Sequence, residues 1–485
     1  MGCGNDAREE RGIVGTLPKE GRAGREPHGG LIFLWDWDKW PSKAVLLLII
    51  LAGVFAIGYS PLRPKPFSDG YFHDEAKGLR AALLSGDLRK GVPIIHSPGV
   101  PFYYVPAYLA VPEGSQERVY WYAGVGWNCL MLWLGALMLG ATAQRLGGGM
   151  AGWIAVAAVP ITFFPLYYSA GIATETAAFV GAAAVGWAGV RLVNGPRHRW
   201  IRGGLVLGLA LAWLVVMRGN YVLSIPLALL AGLLGKKREL AAGACLACAT
   251  AVVLCLGVYL GVARLNRAMG AALRQDSFLT HVLIQGAFQY RSEPFDWRPW
   301  EKETRGGSAD YADYAETRRQ LERRQEESGL PLAMVEWEWL RRSVIDDPWA
   351  WIRMAPFKVA SALWFRISPV RIERVFGRGD RARVVALLIS AVLNAPFLLA
   401  LGLALWGTWR GRREQAVGRW ICWTPFLAGA LFIAGTYSEP RYLVPGFGGV
   451  LVLAAEEAGR LGVLERVAQV GWPRFFRWRP LVRAR

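Results

Sequence analysis

Ten segments of this chain, 44–59, 119–139, 151–167, 176–193, 204–217, 221–234, 240–262, 384–406, 420–436 and 442–455, are apolar nearly throughout. Water does not reach the middle of a bilayer, so every backbone N–H and C=O there must be paired, and a helix pairs them within one segment. Several of the segments fall short of the ~20 residues that a perpendicular helix needs, so the helix ends are placed only to within a turn. Composition agrees, because 53% of the 485 residues are hydrophobic and 23 are Trp, too apolar for an ordinary soluble enzyme. The expected fold class is an all-α polytopic membrane protein with about ten transmembrane helices.

Basic residues set the orientation. Arg145, then Arg197, Arg199 and Arg202, then Lys236, Lys237 and Arg238, then Arg410, Arg412 and Arg413 all fall in links on one side, which the positive-inside rule makes cytoplasmic. Both termini are then cytoplasmic, and the loop after the first segment faces outward with the long polar stretch 263–383. These links and the basic C-terminus account for the formal net charge of +19, and no nucleic-acid-binding motif accompanies it, so no nucleic-acid partner is expected. The expected location is the inner (plasma) membrane.

Segment 1–43 is too charged for a signal peptide's apolar core and reads as a cytoplasmic tail ending in the interfacial Trp35, Trp37 and Trp40. Met1-Gly2-Cys3 hints at acylation, but Asp6 stands where that pattern wants Ser or Thr. The chain thus divides into this tail, an N-terminal transmembrane module 44–262, an outward loop 263–383, C-terminal transmembrane helices 384–458 and a basic cytoplasmic tail 459–485. Cysteine chemistry is not expected, since Cys245, Cys248 and Cys255 lie in one apolar run, where a thiol behaves as a small hydrophobe.

Within 263–383, the mixture of Trp, Met and Phe with Arg353 and Lys358 over 349–365 suits a helix lying in the interface and bent at Pro356. A full span there would force 410–419 outward, against the charge rule. Gly306-Gly307 marks a break, and 308–327 then runs charged without Gly or Pro, as a solvated helix would.

The outward loop after the first segment carries His73-Asp74-Glu75-Ala76-Lys77, then Ser85-Gly86-Asp87, then His96-Ser97-Pro98-Gly99-Val100-Pro101. Adjacent carboxylates at the lip of a membrane helix are costly near lipid, which favours a chemical role. Burial and a like-charged neighbour both raise a carboxylate's pKa toward values useful in proton transfer.

The order of motifs resembles the GT-C superfamily of polyprenyl-phosphate-sugar-dependent glycosyltransferases, in particular lipid A aminoarabinose transferases and protein O-mannosyltransferases. The stretch from Asp74 to Asp87 is similar to that family's acidic pair, basic residue, short helix and Ser-Gly-Asp turn. His96 to Tyr104, including Tyr103, resembles its Pro-rich approach to the next helix. Tyr167-Tyr168-Ser169 with Thr174-Glu175 resembles its outer-face Thr-Glu, Arg218-Gly219-Asn220 its Thr-Arg-Pro turn, and Glu439-Pro440-Arg441-Tyr442-Leu443-Val444-Pro445 the Arg-Tyr-x-x-Pro opening of a late span. His73, Ser97 and Gly219-Asn220 depart from the pattern.

The resemblance implies a GT-C-like bundle with amphipathic interfacial helices on the outer face. It also implies transfer of a sugar from a polyprenyl-phosphate donor to an acceptor hydroxyl on a glycan, lipid or protein. One of Asp74 and Glu75 would take the hydroxyl proton, with Asp74 favoured as base, and one direct displacement would invert the anomeric carbon. Lys77, Arg218 and Arg441 are the candidate cations for the donor phosphate. His96, Tyr103, Glu175 and Glu439 are candidates for the acceptor side of the pocket. A divalent ion could sit among Asp74, Glu75 and His96, but no spacing demands it, and no obligatory metal or cofactor is expected. The competing reading is a transporter or flippase of lipid-linked sugars, which calls for broken helices and mid-membrane acids in two related halves.

Overall fold

The computed structural model describes residues 50–51, 53–54, 70–235, 237–270, 278–291, 309–364, 380–411, 415–436 and 438–462. Most of the first expected span, the tail 1–43, most of the tail 459–485 and Gly306-Gly307 lie outside the described residues. Among those described, all regular elements are helical. In chain order they are α1 (Gly70–Ser85), α2 (Val100–Leu109), α3 (Glu117–Gly147), α4 (Gly149–Ile161), α5 (Phe164–Ser169), α6 (Thr174–Asn194), α7 (Trp200–Met217) and α8 (Ser224–Leu234). There follow α9 (Arg238–Ala268), α10 (Phe278–Phe288), α11 (Ala309–Ser328), α12 (Leu332–Asp346), α13 (Pro348–Ala362), α14 (Asp380–Arg410), α15 (Ala416–Gly435) and α16 (Phe447–Arg460).

Among the described residues six helices, α3, α6, α7, α9, α14 and α15, are long and apolar enough to cross a membrane, fewer than the ten segments read from hydropathy. Segment 44–59 lies mostly outside the described residues, and 151–167, 221–234 and 442–455 form helices too short to count. The expected span 151–167 is interrupted: α4 ends at Ile161, and Phe163 adopts a left-handed φ of 59° before the short α5 begins. A bulky residue takes that conformation only where its surroundings enforce it. The segment 442–455 likewise opens in two 3₁₀ turns, so α16 has only 14 residues. Conversely, α3 and α9 run to 31 residues each and project past their apolar windows. Segment 349–365 becomes α13, helical through Pro356 and too short, at 15 residues, to cross alone.

Two apolar clusters form the core. One joins α3, α4, α5, α6, α14, α15 and α16, and the other joins α1, α2, α3, α6, α7, α8, α9 and α15, so that α3, α6 and α15 serve both. Small residues let the backbones approach, as membrane helix packing requires where no hydrophobic gain separates helix from lipid. A Cβ on Gly208 of α7 would sit 2.6 Å from the Thr250 Cβ of α9. At the end of the bundle away from α1, Arg419 of α15 donates to both oxygens of Glu456 on α16, at 3.0 and 2.7 Å, and both side chains are buried.

A buried polar knot locks α2, α3 and the start of α6. Asn128 of α3 accepts from the Tyr103 and Tyr104 hydroxyls at 2.9 and 3.1 Å and donates to the Gly171 carbonyl at 2.6 Å, and the Tyr104 hydroxyl also bonds both backbone groups of Ala173. Asn128→Leu leaves the Tyr103 hydroxyl and the Gly171 carbonyl without these partners. The expected loss is about 1–3 kcal/mol, the cost of stranding buried polar groups, read from detergent-phase unfolding. An unchanged midpoint would mean that the knot does not hold these helices.

Candidate active site

The ends of α1, α6, α7, α9 and α15 that lie nearest Glu75, Thr174, Met217, Asn266 and Thr436 meet on one face of the bundle, and the site is assembled there. On a helix, adjacent residues diverge by about 100°, so Asp74 and Glu75 cannot share a face of α1. Phe72, Ala76 and Leu79 define its buried side, which carries Glu75 (2% exposed) inward and leaves Asp74 exposed.

Glu75 is held by the loop that returns after α1. The Ile95 N–H donates to Oε1 at 2.9 Å, and His96 Nδ1 lies 3.1 Å from the same oxygen. The His96 ring stacks on Tyr71 with centroids 3.6 Å apart. The loop is itself fixed, because the Asn266 side chain at the end of α9 bonds both the N–H and the carbonyl of Ile94, at 2.8 and 2.7 Å. The second oxygen of Glu75, Oε2, is buried and has no hydrogen-bond partner among the described residues. Glu75 is thus an oriented carboxylate with one oxygen open to a ligand.

The same loop leads directly to the second part of the site. The Gly99 N–H bonds the Val216 carbonyl at 3.2 Å, and Gly99 is packed against Val216 and Met217 too closely for a side chain. The next residue, Arg218, is the extended C-cap of α7. Its guanidinium pairs with Glu175 at 2.7 Å, donates to the Thr174 hydroxyl at 2.9 Å, and lies 4.8 Å from the centroid of the Tyr442 ring. Glu175 stands in the first turn of α6, where the helix dipole favours an anion. Its other oxygen is buried and unpartnered among the described residues.

Arg441 stands 5.6 Å from the same Tyr442 ring and pairs with Glu439 at 2.7 Å. Burial pushes the Glu439 carboxyl above its usual range, while Arg441 and Arg218 pull it back. The Tyr221 hydroxyl donates to the Tyr442 carbonyl at 2.6 Å and anchors this turn to the start of α8. Arg218, Glu175, Glu439, Arg441 and Tyr442 therefore form one cluster, joined to Glu75 and His96 through the loop 94–99.

Other expected site residues are placed differently. Lys77 pairs with Glu117 at the start of α3, a carboxylate that also bonds His73 Nε2, while His73 Nδ1 lies 2.7 Å from the Tyr108 hydroxyl. Burial lowers the His73 pKa, against the pull of Glu117. Tyr103 is committed to the Asn128 knot rather than to a pocket. No three His, Cys, Asp or Glu side chains among the described residues come together as a metal site. Glu117 and Asn266 escape sequence reasoning because their partners lie far along the chain, whereas Tyr442 is named within the Arg-Tyr-x-x-Pro motif but given no site role.

The chain matches no family model, and no curated protein matches it in sequence. Among solved structures, an archaeal oligosaccharyltransferase, AglB from Archaeoglobus fulgidus in complex with an inhibitory peptide and a dolichol-phosphate, is similar over 90% of this chain at 11% identity and a TM-score of 0.46. This chain aligns to 53% of that protein's length. A likeness this distant assigns neither family nor activity.

Proposed function

We propose that this protein is an integral-membrane glycosyltransferase that moves a sugar from a polyprenyl-phosphate donor to an acceptor hydroxyl, with Glu75 as general base. The observation that carries the reading is the buried Glu75 carboxylate, fixed through one oxygen by Ile95 and His96 and free at the other. In the proposed step Glu75 Oε2 takes the acceptor hydroxyl proton as that oxygen attacks the anomeric carbon. The bond from the anomeric carbon to the phosphate oxygen breaks in the same displacement, and polyprenyl phosphate leaves with the electron pair.

The negative charge that builds on the leaving phosphate calls for cations on the same face. Arg218 and Arg441 supply them, each already positioned by a carboxylate, and the Tyr442 ring lies against both. The exposed Asp74 is assigned no proton-transfer role, and Glu75 replaces it as the favoured base. The basic helix ends Arg145, Arg199, Arg202, Lys237 and Arg410 all lie at the opposite end of the bundle, which supports an outward-facing site by the positive-inside rule.

A base acting in one direct displacement inverts the anomeric carbon. The glycosylated product formed by the purified protein is therefore expected to carry the anomeric configuration opposite to the donor's, as read by NMR coupling constants. A retained configuration would exclude Glu75 as a simple base.

A further inference from the structure

The buried face of α13 repeats at Ala350, Met354, Lys358 and Ala362, so a lysine occupies a position where the helix pattern calls for an apolar residue. Lys358 is fully buried, and its Nζ has no hydrogen-bond partner among the described residues. The Trp351 ring lies beneath it, with the centroid 5.5 Å away. Lys358 nevertheless belongs to the site by its backbone: the Ser438 hydroxyl donates to the Lys358 carbonyl at 2.6 Å, and Ser438 immediately precedes Glu439. The Gln289 side chain brackets Ser438 from α10, which seats α13 between the membrane bundle and the outer helices.

Among the described residues no neighbouring element supplies a counter-ion. The outward half of α15, 428–436, has no ionisable side chain. The turn after it brings Arg441 and Glu439, which pair with each other. From α12, the buried Glu336 is paired with Arg318 and Glu338 with Arg342 and Arg324, while Arg341 and Asp346 are exposed; on α13 itself Arg353 is exposed, Asp347 caps the helix at the Ala350 N–H, and the Tyr290 hydroxyl is bonded to Ser361. An isolated ammonium buried in this way is strongly unfavourable, so the amine is driven toward its neutral form unless an anion reaches it. The other buried cations among the described residues, Arg80, Arg218 and Arg419, are all bonded, whereas the Lys358 head group has no hydrogen-bond or ion-pair partner there.

We infer that Lys358 is an anion-binding residue, which captures the phosphate group of a membrane-borne ligand at the seam between α13 and the 438–441 turn. The inference deepens the donor reading above and rests on it for the choice of phosphate. Burial lowers the free amine's pKa to about 7, so the empty protein holds the side chain largely neutral at alkaline pH. Binding then draws one proton from solvent onto Nζ, and affinity falls as pH rises above that value.

The test is calorimetric binding of a polyprenyl monophosphate to the full-length protein, alongside phosphatidylglycerol and inorganic phosphate, at pH 8 in two buffers of different ionisation enthalpy. Wild type should bind the polyprenyl monophosphate with uptake of close to one proton. Lys358→Met should bind about 10- to 100-fold more weakly without that uptake, the range expected for a lost charge-assisted hydrogen bond. Lys358→Arg, always charged, should bind without proton uptake.

Displacement by phosphatidylglycerol with the same proton uptake would identify a headgroup as the source of the phosphate, and displacement by inorganic phosphate alone would identify a free anion. Wild type and Lys358→Met binding the polyprenyl monophosphate equally, with equal uptake, would overturn the inference and leave the donor reading standing. Wild type binding none of the three probes would overturn both.

Discussion

Glu75→Gln is expected to slow sugar transfer by about 10²- to 10⁴-fold, the usual contribution of a positioned general base, while leaving the protein folded. Gln keeps the shape of Glu, and its carbonyl can still accept the Ile95 N–H that now reaches Oε1 at 2.9 Å. It cannot take a proton from the acceptor. Asp74→Asn, on the exposed side of α1, should leave turnover near wild type, because its side chain is directed away from the packed face that holds Glu75. The contrast between neighbours makes the experiment informative: a general loss of acidity in the loop would affect both variants, whereas a base held by Ile95 and His96 affects only one. Equal losses in the two variants would contradict the assignment, as would full activity in Glu75→Gln.

Arg218→Met is expected to destabilise the protein by about 3–5 kcal/mol, because it leaves Glu175 as a buried, uncompensated carboxylate. Both partners are nearly inaccessible, with side chains 7% and 2% exposed, so solvent cannot make good the loss. The double variant Arg218→Met with Glu175→Gln removes both charges together and should recover much of that stability. Unfolding in mixed micelles reads both numbers. If the pair also serves the leaving phosphate, the double variant should remain slow in transfer despite its recovered fold. A single variant as stable as wild type would mean that the pair is not closed in solution.

Much of this arrangement can be read along the chain. Apolar runs predict helices because backbone pairing in lipid leaves few choices, and α3, α6, α7, α9, α14 and α15 each overlap an expected segment. The charged run 308–327 becomes α11 for the same local reason, an unbroken stretch without Gly or Pro. The break at Thr162-Phe163 is illegible, because a left-handed Phe is imposed by packing and has no sequence signal. The sequence points to an acidic pair, but choosing between its members depends on helix register. The helical spacing of the apolar Phe72, Ala76 and Leu79 puts Glu75 on their side of α1, a signal carried by the order of residues alone.

Pairings across long separations could not be read in the same way. Lys77 looks like a free cation until α3 brings Glu117 to it, and Tyr103 looks like a pocket residue until Asn128 claims its hydroxyl. Lys358 resembles an interfacial snorkelling lysine among aromatic residues. The packing of α13 against α15 turns it inward, where its charge meets no carboxylate among the described residues.

The most direct test of glycosyl transfer is to supply the purified wild-type protein, reconstituted in vesicles, with a panel of polyprenyl-phosphate sugars and candidate acceptors, and to measure released polyprenyl phosphate. The account predicts release from at least one donor in step with glycosylated acceptor. Transfer of an intact donor from one leaflet to the other, with no donor in the panel cleaved, would contradict it and favour transport.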